Sequence, residues 1–379
     1  MNIIIVTSLT GGHFYPAIEV AKQAKNFVDK IIFISQKSKN LKFVEIIKKE
    51  LNFSEKLEFE YILTAKFIRK NPLSLVKILI FFLFSSGKIL NIIFKYKPKI
   101  LFSTGGYTSF PVVILTKIFA PLTYIILHEQ NSVLSLSNKL LSFIANKVYI
   151  GLEIKKRSSK FIFTGNPLRK RFLQNLDKEK IYEKLKFKKD NFTILVFGGS
   201  QGAKAINYAF LEIIKNNKEK FKDIQIVHIT GFYDIEAIKH EYQKIDSISI
   251  NVFEYYENME ELYTIADLVI SRAGAMTVSE LIFFRKPAIL IPLPTAAELH
   301  QHWNAQLLKK YQCAKVIYQK NDWKRKLQNT IFQLIEKKET LSVMRQNYEF
   351  IPKPKTNIET EIKNILYIKK YARRKYKNI

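Results

Sequence analysis

The chain has 379 residues, 47% of them hydrophobic and 13% aromatic, which is enough for two packed domains and excludes a disordered protein. The single cysteine, Cys313, excludes a disulfide framework and a cysteine-based metal site, so we expect a reducing, cytoplasmic compartment. The formal net charge of +29 is spread along a sequence also rich in Ile, Asn, Phe and Tyr, as a drift toward A/T-rich codons would produce. We therefore expect no nucleic-acid partner, although a basic nucleic-acid binder stays open as an alternative.

Short β-branched runs alternate with segments of helical period from the N-terminus onward. The chain opens on such a run, without the basic segment of a signal peptide. Strands are predicted at 2–7, 31–35, 100–103 and 123–127, and the helix after the first strand is predicted to begin near Pro16. The second half predicts strands at 193–197, 224–230, 249–253, 268–271 and 288–292. This alternation is typical of parallel βαβ units, so we predict an α/β fold with two doubly wound halves.

Two turn-rich stretches mark the predicted domain boundaries. Thr164-Gly165-Asn166-Pro167 separates a first domain, 1–166, from a second domain, 167–352. Ile351-Pro352-Lys353-Pro354 precedes a last helical stretch at 357–371.

One apolar segment raises the question of membrane contact. Residues 78–84 and 89–94 are apolar and flanked by lysines, with Ser85-Ser86-Gly87 between them. Each run is well short of the roughly 20 apolar residues that span a bilayer. Two interpretations stay open: a buried pair of helices that breaks at the Ser-Ser-Gly sequence, or a helix on a bilayer surface with its lysines on anionic lipid.

Three loops that join a strand to a helix combine glycine with small hydroxyl residues. They are Thr10-Gly11-Gly12-His13, Gly105-Gly106-Tyr107-Thr108-Ser109 and Gly198-Gly199-Ser200-Gln201-Gly202-Ala203. Glycine lets the backbone approach a ligand, and the helix start offers free N–H groups and partial positive charge, which together suit phosphate. Neither a Gly-x-Gly-x-x-Gly nor a Gly-x-x-x-x-Gly-Lys-Ser/Thr sequence is present, which disfavours a dinucleotide-dependent oxidoreductase and a P-loop NTPase.

Polar clusters follow three of the predicted strands. His128-Glu129-Gln130-Asn131 comes directly after an apolar run, and 271–280 and 298–305 follow two others. Thr277 and Glu280 share a helix face, although Glu280 alone would be explained as compensation of the helix dipole. His300 and His302 lie in a segment that looks helical, where they would diverge, so no metal site is expected.

Taken in chain order, these motifs resemble the MurG family, the transferases that make lipid II from lipid I and UDP-N-acetylglucosamine (UDP-GlcNAc). The resemblance runs from residue 10 to residue 305 and rests first on the three glycine loops. The other matching positions are Pro16-Ala17, Ser109, Pro111, the 128–131 cluster with Asn138, the 164–167 turn with Arg169, Asn207, the 266–280 segment, and His300-Gln301 with Asn304-Ala305. The family opens with Gly-Gly-Thr-Gly-Gly-His, whereas Ser8 and Leu9 stand here in place of the first two glycines. Ser135-Leu136-Ser137 replaces a glycine that the family has before Asn138.

The resemblance implies the GT-B fold, in which two Rossmann-like domains with doubly wound parallel sheets face a cleft. It implies that residues 167–352 bind UDP-GlcNAc, with Ser200 on the diphosphate and Arg169 and the backbone near Tyr256 close to the uracil. Glu280 would accept from the ribose hydroxyls, and Gln301 and Asn304 would meet the sugar. The full donor set implied is Thr10, Gly11, Gly12, Asn131, Arg169, Ser200, Tyr256, Ala275, Met276, Thr277, Val278, Ser279, Glu280, Gln301 and Asn304.

The resemblance also implies that residues 1–166, with a final helix at 353–379 returning to them, hold the pyrophosphate of the acceptor. That acceptor is lipid I, undecaprenyl-pyrophosphoryl-MurNAc-pentapeptide. The acceptor set is Thr10, Gly11, Gly12, His13, Gly105, Gly106, Tyr107, His128, Glu129, Asn131 and Asn138. A peripheral location on the cytoplasmic face of the inner membrane is expected, through the apolar and basic surface at 73–99.

The implied chemistry is a single displacement that inverts the anomeric carbon and needs no metal or cofactor. His13 is our hypothesis for the base, since an imidazole titrates near working pH, and Glu280 completes the expected catalytic set. A structural or phosphate-contacting role is the alternative for His13. For the whole chain, a diacylglycerol glycosyltransferase and a non-catalytic sugar-nucleotide binder stay open.

Overall fold

The chain divides into two compact units in this computed structural model, which describes residues 1–8, 11–36, 55–64, 73–154, 158–199, 202–232 and 235–375. One unit comprises Met1–Pro167 and Lys353–Ile379, and the other comprises Leu168–Pro352. Each unit is built around a parallel sheet with helices on both faces.

The first unit has a sheet whose described strands are all paired in parallel. They are β1 (Ile3–Val6), β2 (Ile31–Gln36), β3 (Leu57–Ile62), β4 (Ile100–Ser103), β5 (Tyr124–Glu129), β6 (Lys147–Ile150) and β7 (Phe161–Phe163). Their order across the sheet is β3-β2-β1-β4-β5-β6-β7, so winding reverses between β1 and β4. Every residue of β1 and β4 is buried, as a sheet covered on both faces requires.

Helices cover the two faces of this sheet. They are α1 (Gly11–Ala24), α2 (Leu73–Tyr96), α3 (Ser109–Phe119) and α4 (Leu136–Leu141). Ala17, Val20, Ala21 and Ala24 of α1 are buried in a core on one face, as their helical spacing predicts. The opposite face carries α2, α3 and α4.

The second unit repeats the plan with the strand order β10-β9-β8-β11-β12-β13. Its strands are β8 (Phe192–Phe197), β9 (Ile224–Ile229), β10 (Ser249–Phe253), β11 (Leu268–Ser271), β12 (Ala288–Leu290) and β13 (Ala314–Val316). Its helices are α5 (Lys178–Leu185), α6 (Lys204–Asn216), α7 (Ile235–Tyr242), α8 (Met259–Ile265), α9 (Ala275–Phe284), α10 (His300–Lys310), α11 (Trp323–Glu336) and α12 (Lys338–Gln346). Short 3₁₀ turns lie at Lys170–Leu173, Lys218–Phe221, Ala297–Leu299 and Asn347–Phe350.

The final helix, α13 (Ile358–Lys375), belongs to the first unit. Ile358, Ile362 and Leu366 join the core on the α1 face of the sheet. Their spacing of four residues places them on one side of the helix, which explains why the chain returns to the first sheet.

The expected break at Ser85-Ser86-Gly87 is wrong, because α2 runs through it as one helix. The Ser86 hydroxyl donates to the Leu83 carbonyl at 2.6 Å within the helix, and the Ser85 hydroxyl donates to the Leu63 carbonyl at 2.7 Å. Both hydroxyls are therefore bonded, and one glycine costs only about 1 kcal/mol in a helix. Neither a buried helix pair nor two short runs describes this segment.

The start of α1 is also earlier than predicted. The helix begins at Gly11 and includes Pro16, so Gly11, Gly12 and His13 form its first turn instead of a loop before it. Phe14 is fully buried and packs against Phe33, with ring centroids 5.9 Å apart. This packing favours a helical conformation for the residues before Pro16.

Two histidines and the cysteine are fully buried. His128 lies in β5 and His228 in β9, and burial lowers the pKa of each imidazole to about 3. Cys313 is also fully buried, which raises the pKa of its thiol to about 12. All three groups are therefore neutral in the folded protein near pH 7.

His128 is expected to make the first unit less stable in acid. The unfolded imidazole takes a proton below about pH 6.5, whereas the folded one takes it only near pH 3. The free energy of unfolding should thus fall as the pH drops below 6.5, by up to about 1.4 kcal/mol per pH unit for this one group. Urea denaturation of His128→Gln between pH 7 and pH 4 should show a shallower pH dependence than the wild type. The exposed His240→Gln is the control, and equal slopes for His128→Gln and wild type would contradict the assignment.

Candidate functional site

The candidate site in each unit lies where the winding of the sheet reverses. In the first sheet Val6 of β1 pairs with Ser103 of β4, so the segments beginning at Thr7 and Thr104 leave the sheet side by side. In the second sheet Phe197 pairs with Ser271, so the loops 198–203 and 272–274 do the same. Open α/β sheets bind ligands outside the carboxyl ends of strands at such a reversal, because the connections diverge there.

His13 has a fixed orientation in the first unit. Its Nδ1 lies 2.7 Å from the Thr104 carbonyl oxygen. A carbonyl oxygen only accepts, so Nδ1 carries the proton, and in the neutral ring Nε2 is the acceptor. The ring is only partly buried. This arrangement suits a base, since the hydrogen bond at one nitrogen sets the other to receive a proton.

The same carbonyl connects His13 to the 128–131 cluster. The Gln130 amide nitrogen donates to the Thr104 oxygen at 3.0 Å and lies 3.0 Å from the His128 Nδ1. Gln130 and His128 are both buried. Neither Gln130 nor Thr104 was among the predicted site residues, because a backbone carbonyl gives no sequence signal.

Glu129 organises the loop that follows β5. One carboxylate oxygen accepts from the Asn131 backbone at 3.1 Å and its side chain at 3.0 Å. The other accepts from the Ser135 backbone at 2.8 Å and the Asn138 side chain at 2.9 Å. Glu129, His128 and Asn138 are fully buried, so they support this loop from within the protein. Of the predicted acceptor residues in the cluster, Asn131 is the one that reaches the surface in part.

The second glycine loop packs closely on the first. Gly106 has a φ of +85°, and a Cβ there would lie 2.8 Å from the Ser8 hydroxyl. Ser8, which stands where the family has glycine, therefore fills the space beside Gly106 and is itself buried. Gly105 lies against the Asn138 side chain, and Tyr107 is partly exposed. Leu9 and Thr10 lie outside the described residues, and Gly12 is exposed in the first turn of α1.

The start of α9 offers backbone hydrogen-bond donors in the second unit. Gly274 precedes the helix, and no side chain among the described residues caps it. The backbone N–H groups of Ala275, Met276 and Thr277 have no partner within the helix and face its N-terminal end. Val278 and Ser279, also predicted to bind UDP-GlcNAc, make hydrogen bonds inside the helix: Val278 N–H donates to the Gly274 carbonyl, and the Ser279 hydroxyl donates to the Ala275 carbonyl at 3.0 Å.

Glu280 lies one turn further along α9, on the same face as Thr277. Its carboxylate accepts from the Tyr263 hydroxyl at 2.8 Å. Burial raises the pKa of Glu280, and the positive charge of Arg169 opposes that rise. Arg169 in turn donates to the Glu257 carbonyl at 3.0 Å, beside Tyr256. The structure thus brings together Glu280, Arg169 and the backbone near Tyr256, while the Tyr256 hydroxyl is bonded to Glu261.

Gln301 and Asn304 lie in α10, which is helical as predicted. The Gln301 side-chain oxygen accepts from the Leu293 N–H at 2.9 Å, which leaves its NH₂ group as a donor. Asn304 is fully buried and donates to the Ala273 carbonyl at 3.1 Å, so it holds the loop before α9. Its predicted contact with the sugar stays a prediction.

Arg272 performs a similar supporting role that the sequence reasoning missed. Its guanidinium donates to the Ile291 carbonyl at 3.0 Å and to the Gln319 side chain at 2.6 Å. It therefore joins the segments that follow β11, β12 and β13. The sequence signal for this role was the place of Arg272 in Ser271-Arg272-Ala273-Gly274, directly after a predicted strand.

The third glycine loop has no room for side chains at its two ends. A Cβ on Gly198 would lie 2.2 Å from the Ala203 nitrogen, and one on Gly202 would lie 2.2 Å from the Thr230 carbonyl oxygen. Gly199 and Gly202 have positive φ values of +96° and +75°. Ser200, the residue predicted to contact diphosphate, lies outside the described residues.

The two histidines of α10 point to different partners. His300 Nδ1 lies 2.6 Å from the Ala297 carbonyl, whereas His302 stacks on Tyr318 with ring centroids 5.3 Å apart. Their divergence follows from the helical geometry that the sequence predicted.

Comparison with known proteins assigns both units to one family. Residues 3–150 match the glycosyltransferase family 28 N-terminal domain, and residues 193–362 match the glycosyltransferase family 28 C-terminal domain. The crystal structure of Acinetobacter baumannii MurG has a TM-score of 0.73 with 22% identity, covering 97% of this chain and 99% of that one. That likeness confirms the predicted GT-B fold of two Rossmann-like units.

Curated relatives match over nearly the whole chain. A UDP-N-acetylglucosamine–N-acetylmuramyl-(pentapeptide) pyrophosphoryl-undecaprenol N-acetylglucosamine transferase from Elusimicrobium minutum is 31% identical, covering 93% of this chain and 95% of the relative. The transferase of the same name from Caldanaerobacter subterraneus is 36% identical, covering 91% and 94%. The chain is therefore a glycosyltransferase, and it belongs to the MurG family of N-acetylglucosamine transferases.

Proposed function

We propose that this enzyme transfers N-acetylglucosamine from UDP-GlcNAc to the 4-hydroxyl of the MurNAc-pentapeptide of lipid I, giving lipid II for peptidoglycan synthesis. The sequence identity to transferases named for this reaction, over more than nine tenths of the chain, carries the proposal. In the reaction the acceptor oxygen bonds to the anomeric carbon with inversion. The bond from that carbon to the diphosphate breaks, its electron pair leaves with UDP, and the hydroxyl proton passes to a base.

The second unit, Leu168–Pro352, provides the donor site in this proposal. The free N–H groups of Ala275, Met276 and Thr277 support a phosphate at the start of α9, since the helix dipole favours an anion there. Fixed donors at this point would stabilise the charge that develops on the departing diphosphate, so no metal is required. Glu280, held by Tyr263, is placed to accept from ribose hydroxyls, and Gln301 retains an amide donor for the sugar.

The first unit, Met1–Pro167 with Lys353–Ile379, provides the acceptor site. His13 is the proposed base, supported by the Nδ1 hydrogen bond to Thr104, which makes Nε2 the acceptor nitrogen of the neutral ring. Gly106 lies beside it, and of the predicted acceptor residues Tyr107 is exposed and Asn131 is partly exposed.

Helix α2 supports a peripheral contact with the cytoplasmic leaflet of the inner membrane. Leu79, Leu83 and Phe84 are exposed on its N-terminal half, and Lys77 and Lys88 are exposed beside them. Its C-terminal half is held in the core by residues such as Ile89 and Ile92. Among the described residues, Val76–Tyr96 is the one stretch long and apolar enough to span a bilayer, a criterion that core helices of soluble proteins also meet. A helix anchored on the sheet at one end suits contact with the bilayer surface.

Transfer is tested directly with radiolabelled UDP-GlcNAc and a short-chain lipid I analogue in the presence of EDTA. We expect the wild-type protein to form labelled disaccharide-lipid at the same rate with and without EDTA. A diacylglycerol acceptor in a parallel reaction tests the alternative lipid glycosyltransferase. UDP-GlcNAc binding without product on either acceptor would indicate a non-catalytic sugar-nucleotide binder.

His13→Gln should lower kcat by about 10²–10⁴-fold, because glutamine can keep the hydrogen bond to Thr104 but cannot take the hydroxyl proton. UDP binding, measured by calorimetry, should be unchanged, since the residue belongs to the acceptor unit. His240→Gln, at an exposed position in the second unit, should retain the wild-type kcat. If His13→Gln keeps most of its kcat, another group is the base.

Phe84→Glu should reduce binding to vesicles of phosphatidylglycerol by about tenfold. This is the effect expected when one aromatic ring that would be buried in the lipid is removed. Phe350→Glu is the matched control, because Phe350 is exposed to a similar extent, 72% against 76%, but lies in the second unit. Sedimentation with vesicles measures both variants. Equal loss of binding in the two variants would exclude α2 as the membrane contact.

A further inference from the structure

A chain of buried hydrogen bonds lies behind the third glycine loop. Tyr242 of α7 lies 2.9 Å from His228 Nδ1, and His228 Nε2 lies 3.2 Å from the Asn207 side-chain oxygen. The Asn207 amide donates to the Thr230 carbonyl at 2.9 Å. All four residues are buried, with exposures of 0 to 5%.

The direction of every bond in this chain is determined. Asn207 uses its NH₂ group on the Thr230 carbonyl, so its oxygen faces His228 and must accept a proton from Nε2–H. Burial lowers the pKa of His228 to about 3, so the ring is neutral and its Nδ1 is an acceptor. Tyr242 therefore donates its hydroxyl proton to Nδ1. Each group supplies what the next one needs, and the last acceptor is the Thr230 carbonyl.

The glycine loop rests on that same carbonyl. The Cβ position of Gly202 lies 2.2 Å from the Thr230 oxygen, so the loop backbone is in direct contact with it. Gly202 N–H donates to the Gly199 carbonyl at 2.9 Å, which closes the loop on itself. A shift of the Thr230 carbonyl would therefore move Gly202 and, through its hydrogen bond, Gly199.

We propose that Asn207, His228 and Tyr242 are positioning residues for nucleotide binding: they hold the Thr230 carbonyl at the point against which Gly202 of the third glycine loop packs. The inference rests on the proposed function in one respect, that this loop meets the diphosphate of UDP. None of the three residues contacts the nucleotide in this proposal.

The polar character of this hydrogen-bonded chain supports a role beyond packing. His228 packs edge-on against Phe210, with ring centroids 5.8 Å apart, in an otherwise apolar core. Burying three polar side chains there is unfavourable unless all are hydrogen-bonded, and apolar residues of similar size would fill the space without that requirement. A fully satisfied network instead fixes one geometry, which a binding loop requires.

Tyr242→Phe tests the proposal, because it removes only the hydroxyl at the far end of the chain. UDP binding by isothermal calorimetry, well below the melting temperature, should weaken roughly three- to tenfold, the effect of one lost hydrogen bond transmitted to the loop. Tyr348→Phe is the matched control. Tyr348 is equally buried in the same unit and donates one hydrogen bond, at 2.7 Å, to the Lys286 carbonyl, away from the loop. We expect both variants to lose thermal stability and only Tyr242→Phe to lose affinity for UDP.

A double-mutant comparison tests whether the effect of Tyr242→Phe on UDP binding passes through the hydrogen bonds of His228 and Asn207. Asn207→Ala should weaken UDP binding more than Tyr242→Phe does, and adding Tyr242→Phe to it should cause little further loss, since the connection is already cut. Tyr348→Phe should add to Asn207→Ala independently. Unchanged UDP affinity in Tyr242→Phe, or equal losses in Tyr242→Phe and Tyr348→Phe, would overturn the inference while leaving the proposed function intact. Failure of the wild type to bind UDP would overturn both.

Discussion

Both candidate sites depend on one constraint, the parallel pairing of two strands at which a sheet reverses its winding. β1 pairs with β4 in the first sheet, and β8 pairs with β11 in the second. In each case two glycine-containing segments leave neighbouring strands at the same edge. Neither site could be assembled from residues close in sequence, since the paired segments are separated by about 70 to 100 positions along the chain, as Phe197 and Ser271, or Val6 and Ser103, show.

The two sites are supported by different chemistry. In the first unit, side chains stabilise the backbone: Gln130 shares the Thr104 carbonyl with His13, and Glu129 accepts four hydrogen bonds from the loop after β5. In the second unit, the backbone at the start of α9 keeps its donors free, and side chains such as Asn304 hold the loop before it. The candidate site of the first unit thus contains an oriented side chain, while that of the second contains main-chain N–H groups at a helix start.

Periodicity and turn chemistry predicted much of the fold. The strands Ile100–Ser103 and Leu268–Ser271 have the predicted bounds because each is a continuous apolar run that ends at a serine. Ser249–Phe253 also has the predicted bounds, and there polar and apolar residues alternate. β3 was missed because its alternating glutamates resemble a solvated segment, and it lies at the edge of the sheet. The break predicted in α2 was wrong because the Ser85 and Ser86 hydroxyls are hydrogen-bonded and one glycine does not interrupt a helix whose C-terminal half packs in the core.

The candidate site was predicted in its residues more than in its contacts. His13, Glu280 and the helix start at Ala275 lie where motif order placed them. The roles of Thr104, Tyr263 and His228 could not be foreseen, because each depends on a partner distant in sequence. Burial could not be predicted either: His128, Glu129 and Asn304 were expected at a ligand, and all three are fully buried, with hydrogen bonds to neighbouring segments. Their contacts with a ligand stay predictions.

The buried cysteine makes the protein convenient for spectroscopy. Cys313 has no exposed surface, and its raised thiol pKa keeps the reactive thiolate scarce, so maleimide reagents should leave it unmodified. Since the chain has no other cysteine, any thiol introduced at an exposed position carries a fluorophore or spin label without background. The native sequence is thus already suited to distance measurements between two chosen points, with the core left unchanged.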